Sequence, residues 1–215
     1  MTINALVTED HPLMCDAICA TLETDADIFV LGTAVNSDEL QTLLAETQPD
    51  VLILDLVLPG IDGLDILALL PESHPNLPVL IFSSSSEPRD IARAIQEGAL
   101  GYLTKDASST ELLAAVHAVS QGQAYLPPSL SPNLVKGLHQ LKQENERYLT
   151  ELLTTREHQV LDLLATGKPN KTIAERLEIS EHTVRTHLFN IREKVDADNR
   201  SQLILFARQH GLGDT

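Results

Sequence analysis

The chain has 215 residues, 43% of them hydrophobic, and its 15 Lys and Arg against 31 Asp and Glu give a formal charge of −16. That length accommodates one large domain or two modest ones, with the composition of an ordinary soluble globular protein. No apolar run reaches the roughly 20 residues that span a bilayer, and MTINALVTED lacks the basic flank and small-residue cleavage site of an export signal, so a cytoplasmic protein is expected.

The charge is unevenly spread. Residues 1–130 hold 19 acids against 3 bases, whereas residues 131–215 hold 12 of each. Two units with different tasks are implied. The second is neutral, so bulk electrostatics alone make no case for nucleic acid. The two cysteines, Cys15 and Cys19, cannot form a disulfide scaffold; with no further ligands near them in sequence, they are read as small thiols packed one helical turn apart.

Five short runs rich in Val, Ile and Leu open the chain: Ile3–Val7, Ile28–Thr33, Val51–Leu56, Val79–Phe82 and Gly101–Leu103. Segments with helical spacing separate them, among them Glu39–Glu46 and Ile91–Gln96. Strands that are apolar throughout belong to a parallel sheet covered on both faces, and five such units predict a doubly wound α/β domain. Pro127, Pro128 and Pro132 break this pattern, and a new helix begins at Ser131. Its Leu134, Leu138, Leu141, Asn145, Tyr148 and Leu152 follow a 4-3-4-3-4 spacing. This is either the seam of a short dimeric coiled coil or one face of a helix folded onto its own domains.

Thr154-Thr155-Arg156-Glu157 is a capping box, and helices are predicted at Thr155–Ala165, Asn170–Leu177, Glu181–Val195 and Arg200–His210. The tight turn Glu178-Ile179-Ser180 makes the second and third of these a helix-turn-helix. The expected organisation is a domain over 1–122, a linker with a helix over 123–152, and an all-α four-helix domain over 153–215.

In an open α/β sheet, sites form beyond the carboxyl ends of the strands. Those ends carry Glu9 and Asp10, then Asp55, then Ser83, then Lys105. Three carboxylates so placed repel one another unless a cation joins them, and an all-oxygen set suits Mg2+. Such an ion would neutralise an incoming phosphoryl group and leave Asp55 to act as nucleophile, with Lys105 and Ser83 holding the product oxygens.

Glu9-Asp10-His11-Pro12, Asp55-Leu56-Val57-Leu58-Pro59-Gly60, Ser83 and Gly101-Tyr102-Leu103-Thr104-Lys105 resemble the receiver domains of two-component systems over about residues 1–120. The resemblance implies a five-stranded flavodoxin-like fold with Asp55 as phosphoacceptor. Glu9 and Asp10 become metal-site acids, Val57 lends a backbone carbonyl to Mg2+, Lys105 binds phosphate, and Ser83 and Tyr102 are the switch residues. Glu9 stands where aspartate is commoner, which keeps the charge but moves it by one methylene.

Leu153-Thr154-Thr155-Arg156-Glu157, Asn170-Lys171-Thr172-Ile173-Ala174 and Thr183-Val184-Arg185-Thr186-His187-Leu188 resemble the LuxR-type DNA-binding domain, and the whole chain resembles the NarL/FixJ class of response regulators. Asp196-Ala197-Asp198 departs from that pattern. On the expected recognition helix Val184, Leu188, Ile191 and Val195 form the inward stripe. Arg185 is the first candidate for a base edge, then Thr186. Phe189, unusual at its position, would meet a thymine methyl or cover a neighbouring side chain. Lys171, Arg192, Lys194 and Arg200 are candidate phosphate contacts. The resemblance also implies a homodimer through the last helix around Leu203, Ile204 and Phe206.

The expected protein is a transcription regulator, not a metabolic enzyme. A sensor histidine kinase would phosphorylate it and double-stranded DNA would be its target. The alternative is a signalling adaptor whose helix-turn-helix binds protein. A phosphatase using an aspartyl nucleophile needs a second acid two residues on, where this chain has Val57.

Overall fold

The computed structural model describes residues 2–213. The chain divides between Leu141 and Lys142 into two compact units. The first contains β1 (Ile3–Thr8), α1 (Pro12–Leu22), β2 (Ile28–Ala34), α2 (Ser37–Glu46), β3 (Val51–Leu54), β4 (Val57–Leu58), β5 (Ile61–Asp62), α3 (Gly63–Ser73), β6 (Val79–Ser83), α4 (Pro88–Gln96), β7 (Gly101–Thr104) and α5 (Ser109–Ser120).

The main sheet runs β2-β1-β3-β6-β7, with every pairing parallel. Because side chains alternate along a strand, each strand feeds two cores. Ala5, Val7, Val51, Ile53, Leu80, Phe82 and Leu103 pack with Ile18 and Leu22 of α1 and Leu112, Val116 and Val119 of α5. Leu6, Leu52, Leu54, Val79, Ile81 and Tyr102 pack on the opposite face with Leu40 and Leu44 of α2, Leu64, Leu67 and Leu70 of α3, and Ile91 of α4. This double coverage explains the unbroken apolar runs in the sequence, since neither face of the sheet is left to water.

The third run is shorter than its composition predicts. The strand stops at Leu54, and Val57 and Leu58 pair antiparallel with Asp62 and Ile61 in a separate hairpin turned at Gly60, whose φ is +86°. Asp55 therefore sits on the connection, beyond the sheet's edge.

A 22-residue helix, α6 (Ser131–Leu152), straddles the division between the units. In the first unit, Leu134 packs on the α2–α3–α4 core and Asn133 Nδ2 donates to the carbonyl of Ser86 at 2.8 Å. A Cβ on Gly137 would fall 1.8 Å from the carbonyl oxygen of Pro88, so only glycine permits that approach of α6 to α4. In the second unit, Leu149 and Leu153 are core residues. Apolar residues at both ends of this helix therefore pack within the chain, while Leu138 and Tyr148 of the regular seam stay 37% and 49% exposed.

The second unit adds α7 (Thr155–Ala165), α8 (Asn170–Leu177), α9 (Glu181–Val195) and α10 (Arg200–Gln209). The predicted capping box forms: Thr154 Oγ1 accepts from Glu157 N–H, and Glu157 Oε2 accepts from Thr154 N–H at 2.9 Å. Glu178 takes the left-handed conformation (φ 52°) that turns α8 into α9, and Ser180 caps α9 by accepting from Thr183 N–H at 3.0 Å. Val184, Leu188 and Ile191 face the core beside Val160, Leu161, Leu164 and Ile173. Among the described residues, no helix is long and apolar enough to cross a membrane.

Candidate functional site

Strand order reverses at β1: its chain neighbour β2 lies on one side and β3 on the other. The crevice past their carboxyl ends is where such sheets build sites. Glu9 and Asp10 follow β1, Asp55 follows β3, Ser83 ends β6 and Lys105 follows β7. Lys105 Nζ lies 2.8 Å from Asp55 Oδ2 and 2.6 Å from Glu9 Oε2. Both carboxylates are buried, Glu9 1% and Asp55 2% exposed, while Asp10 and His11 reach the surface.

Two buried carboxylates sharing one ammonium are electrostatically short of one positive charge. Among the described residues, the oxygens of this pocket without a hydrogen-bond partner are Asp55 Oδ1, Thr8 Oγ1 and Glu9 Oε2. The last meets Lys105 as an ion pair, but not in hydrogen-bonding geometry. Burial alone would push the Lys105 ammonium toward deprotonation, but Asp55 and Glu9 outweigh that and hold its pKa above the ordinary value.

The neighbouring loop is equally specific. Ser83 is fully buried and its Oγ accepts from Ser85 N–H at 3.2 Å. Tyr102 is also fully buried, and its hydroxyl donates to the carbonyl of Ser85 at 2.9 Å. Burial, with Asp90 and Asp55 nearby, raises the Tyr102 pKa far above the ordinary phenol value, so the group stays a neutral donor. Ser85 Oγ donates to Asp90 Oδ2 at 2.6 Å, which ties this loop to α4. A cavity of about 470 Å³ lies between the loop and the β4–β5 hairpin, lined by Val57, Gly60, Asp62, Ser83, Ser85 and Asp90 among others.

Two contributors are not evident from sequence. Ser85 lies in the run Ser83-Ser84-Ser85-Ser86, whose members look alike in one dimension. Gly63 begins α3, and a Cβ there would fall 2.3 Å from the carbonyl oxygen of Asp55; its N–H donates to the Leu56 carbonyl at 2.9 Å. The glycine therefore sets how closely α3 can approach the Asp55 loop.

In the second unit α9 carries Arg185, Thr186 and Phe189 on its exposed side, with Phe189 61% exposed, and Lys171 is exposed on α8. Thr186 Oγ1 donates back to the His182 carbonyl at 3.1 Å. The other basic candidates already have partners within the fold. Lys194 Nζ sits 2.6 Å from Glu157 Oε2, and Arg200 bonds Asn170 Oδ1 at 2.8 Å and the Lys168 carbonyl at 2.6 Å. Arg192 Nε donates to the Ala197 carbonyl at 3.0 Å and its Nη2 to that of Asp198. These contacts close the α9–α10 turn that the departing Asp196-Ala197-Asp198 sequence occupies. Burial would raise the Glu157 carboxyl, but Lys194 and both donors of Thr154 hold it below the usual carboxylate range.

The last helix turns only part of its apolar surface inward. Leu203 belongs to the unit's core, Ile204 and Phe206 pack against that core, and Leu205 is the apolar residue left 57% exposed. Phe206 packs on the His210 ring at a centroid distance of 4.2 Å, with Tyr148 stacked on the same ring at 5.6 Å.

Comparison with known proteins agrees across both units. The family described as "Response regulator receiver domain" matches residues 5–117, and "Bacterial regulatory proteins, luxR family" matches residues 151–207. The chain is 34% identical over 207 residues to the nitrate/nitrite response regulator NarL of Escherichia coli K12, covering 96% of this chain and 95% of that one. It is 32% identical over 212 residues to the response regulator VraR of Staphylococcus aureus, covering 99% of each. Among solved structures, the response regulator ChrA of a heme-sensing two-component system superposes with a TM-score of 0.53 at 31% identity, over 98% of each chain. The chain belongs to the NarL/LuxR-type response regulators, DNA-binding regulators of transcription that join a receiver domain to a helix-turn-helix.

Proposed function

We propose that phosphorylation of Asp55 switches the DNA binding of this regulator. The observation that carries the reading is the state of the Asp55 carboxylate: Lys105 neutralises one oxygen at 2.8 Å, while the other is buried and without a hydrogen-bond partner. A buried, orphaned carboxylate oxygen is costly unless something binds there in the working cycle.

The donor set fits a hard divalent cation such as Mg2+. Ligand atoms of Glu9, Asp10 and His11 lie within 4.8 Å of one another, and Asp55 adds its orphaned oxygen. Glu9, Asp10, Asp55 and the backbone carbonyl of Val57 would hold the ion, with no nitrogen or sulfur ligand required. A bound ion supplies charge neutralisation for an incoming phosphoryl group. The donor is a sensor histidine kinase. An Asp55 oxygen attacks phosphorus, the P–N bond of the phosphohistidine breaks, and the departing imidazole takes up a proton. Lys105 then pairs with a phosphoryl oxygen, and Ser83 donates its hydroxyl to another.

Satisfying a new acceptor beside Ser83 redraws the contacts Ser83–Ser85–Tyr102. That change biases dimerisation and access of α9 to the major groove of double-stranded DNA. Arg185, Thr186 and Phe189 face the bases, and Lys171 a phosphate. The protein works in the cytoplasm as a homodimer, and its only chemistry is its own phosphorylation and dephosphorylation.

The test is intact-mass spectrometry after incubation with acetyl phosphate and Mg2+. The wild type gains one phosphoryl group and Asp55→Asn gains none. Equal uptake by the two chains refutes the assignment.

A further inference from the structure

Glu9 does more in this pocket than contribute negative charge. Its Oε2 lies 2.6 Å from Lys105 Nζ, closer than Asp55 Oδ2 at 2.8 Å, and its Oε1 accepts from His11 N–H at 3.2 Å. Both oxygens are therefore engaged within the chain, and the residue is 1% exposed. The three groups form a bridge, Glu9–Lys105–Asp55, in which one ammonium spans two carboxylates that would otherwise repel across the crevice.

Reach makes this possible. An aspartate carboxylate at the same backbone position would end one C–C bond sooner, by about 1.5 Å. Its oxygen would stand roughly 4 Å from Nζ, at the limit of an ion pair.

We infer that Glu9 is a positioning residue that makes divalent-cation binding and release of Lys105 a single coupled event. The inference rests on the proposed cation site. With Oε1 turned to His11 N–H, a cation drawing on the Oε2 oxygen of Glu9 takes the atom now paired with Lys105. The lysine then leaves Glu9 and is left to Asp55, where a phosphoryl oxygen would need it. The bridge is thus a lock on the resting pocket: it lowers cation affinity and keeps Lys105 shared between Glu9 and Asp55 until the ion arrives.

The test is a double-mutant cycle read by direct Mg2+ binding without phosphodonor. The chain contains no tryptophan, so isothermal titration calorimetry on the full chain is the readout, with folding of each variant checked by circular dichroism. Glu9→Asp is expected to bind Mg2+ about fivefold more tightly than the wild type, the scale of one partly screened ion pair. With Lys105→Met in the background, the same Glu9→Asp change is expected to gain less than about twofold, because no bridge remains to break. Loss of the gain in the double variant supports the inference. An equal gain in both backgrounds, or no gain with Glu9→Asp alone, overturns it while leaving the cation reading intact. Failure of all four chains to take up Mg2+ overturns both.

Discussion

Replacing Lys105 by methionine keeps the apolar stem and removes the charge that joins two buried carboxylates. Glu9 and Asp55 are 1% and 2% exposed, so neither gains water in compensation. Breaking a buried pair by deleting one partner costs about 3–5 kcal/mol. The Lys105 side chain retains 15% exposure, which places the expected loss near the lower end, about 3 kcal/mol at pH 7.5. Against a typical domain stability of about 5–15 kcal/mol the unit stays folded.

The pH dependence carries the sharper test. In the wild type the Lys105 pKa is raised, so its stabilising contribution is complete at neutrality and is lost only as pH climbs through that raised value. Between pH 5.5 and 7.5 this group adds no slope. In Lys105→Met the two carboxylates share a site without a counter-charge, and the folded unit takes up a proton that the unfolded chain does not. Stability then rises as pH falls, by at most about 1.4 kcal/mol per unit. Native-state hydrogen exchange at the β3 amides reports the first unit alone, which bulk unfolding of a two-unit chain does not. A variant within about 0.5 kcal/mol of wild type, or one whose deficit deepens on acidification, refutes the shared-ammonium account.

Gly63→Ala forces its Cβ against the Asp55 carbonyl, 2.3 Å away on the present backbone. It is expected to cost about 1–3 kcal/mol in the same exchange experiment and to slow phosphorylation by acetyl phosphate, since the Asp55 loop must shift. Glu157→Gln removes a carboxylate that stabilises the second unit above the ordinary glutamate range and loses that effect as pH falls through its lowered value. The variant should be about 2 kcal/mol less stable at pH 7, with the gap closing below about pH 4, measured by exchange in α7. In DNA binding by fluorescence anisotropy, Arg185→Ala is expected to cost about 1–3 kcal/mol and to relax base preference at one position. Lys171→Ala weakens all sequences alike and reduces the salt slope by about 1; the converse pattern would exchange their roles.

Much of this was readable because local and global preferences agree. The five strands announce themselves as Val/Ile/Leu runs because a sheet covered on both faces has no polar side. Thr154 and Ser180 mark helix starts because a side-chain oxygen must serve orphan N–H groups wherever they lie. The clustering of Glu9, Asp10, Asp55 and Lys105 follows from topology, since every strand of a parallel sheet ends at the same edge. What stayed hidden depends on distances. Leu56, Val57 and Leu58 are as apolar as β3 itself, so composition extends a strand that the Gly60 hairpin cuts at Leu54. The regular spacing from Leu134 to Leu152 suits a coiled-coil seam equally well, and only packing divides it, Leu134 to one core and Leu149 to the other. The sequence also does not show that Lys194, Arg192 and Arg200 have partners within the fold, namely Glu157, the Ala197 carbonyl and Asn170. Gly63 and Gly137 carry no chemistry, and their necessity shows only when a Cβ is placed on each.

In the proposed switch, charge arriving at Asp55 governs DNA binding by α9. The most direct test is the affinity of the full chain for a selected binding sequence, measured by anisotropy before and after treatment with acetyl phosphate and Mg2+. The treated wild type is expected to bind with changed affinity while Asp55→Asn binds identically in both conditions. An unchanged wild type carrying a mass-verified phosphoryl group, or an equal response in Asp55→Asn, would contradict it.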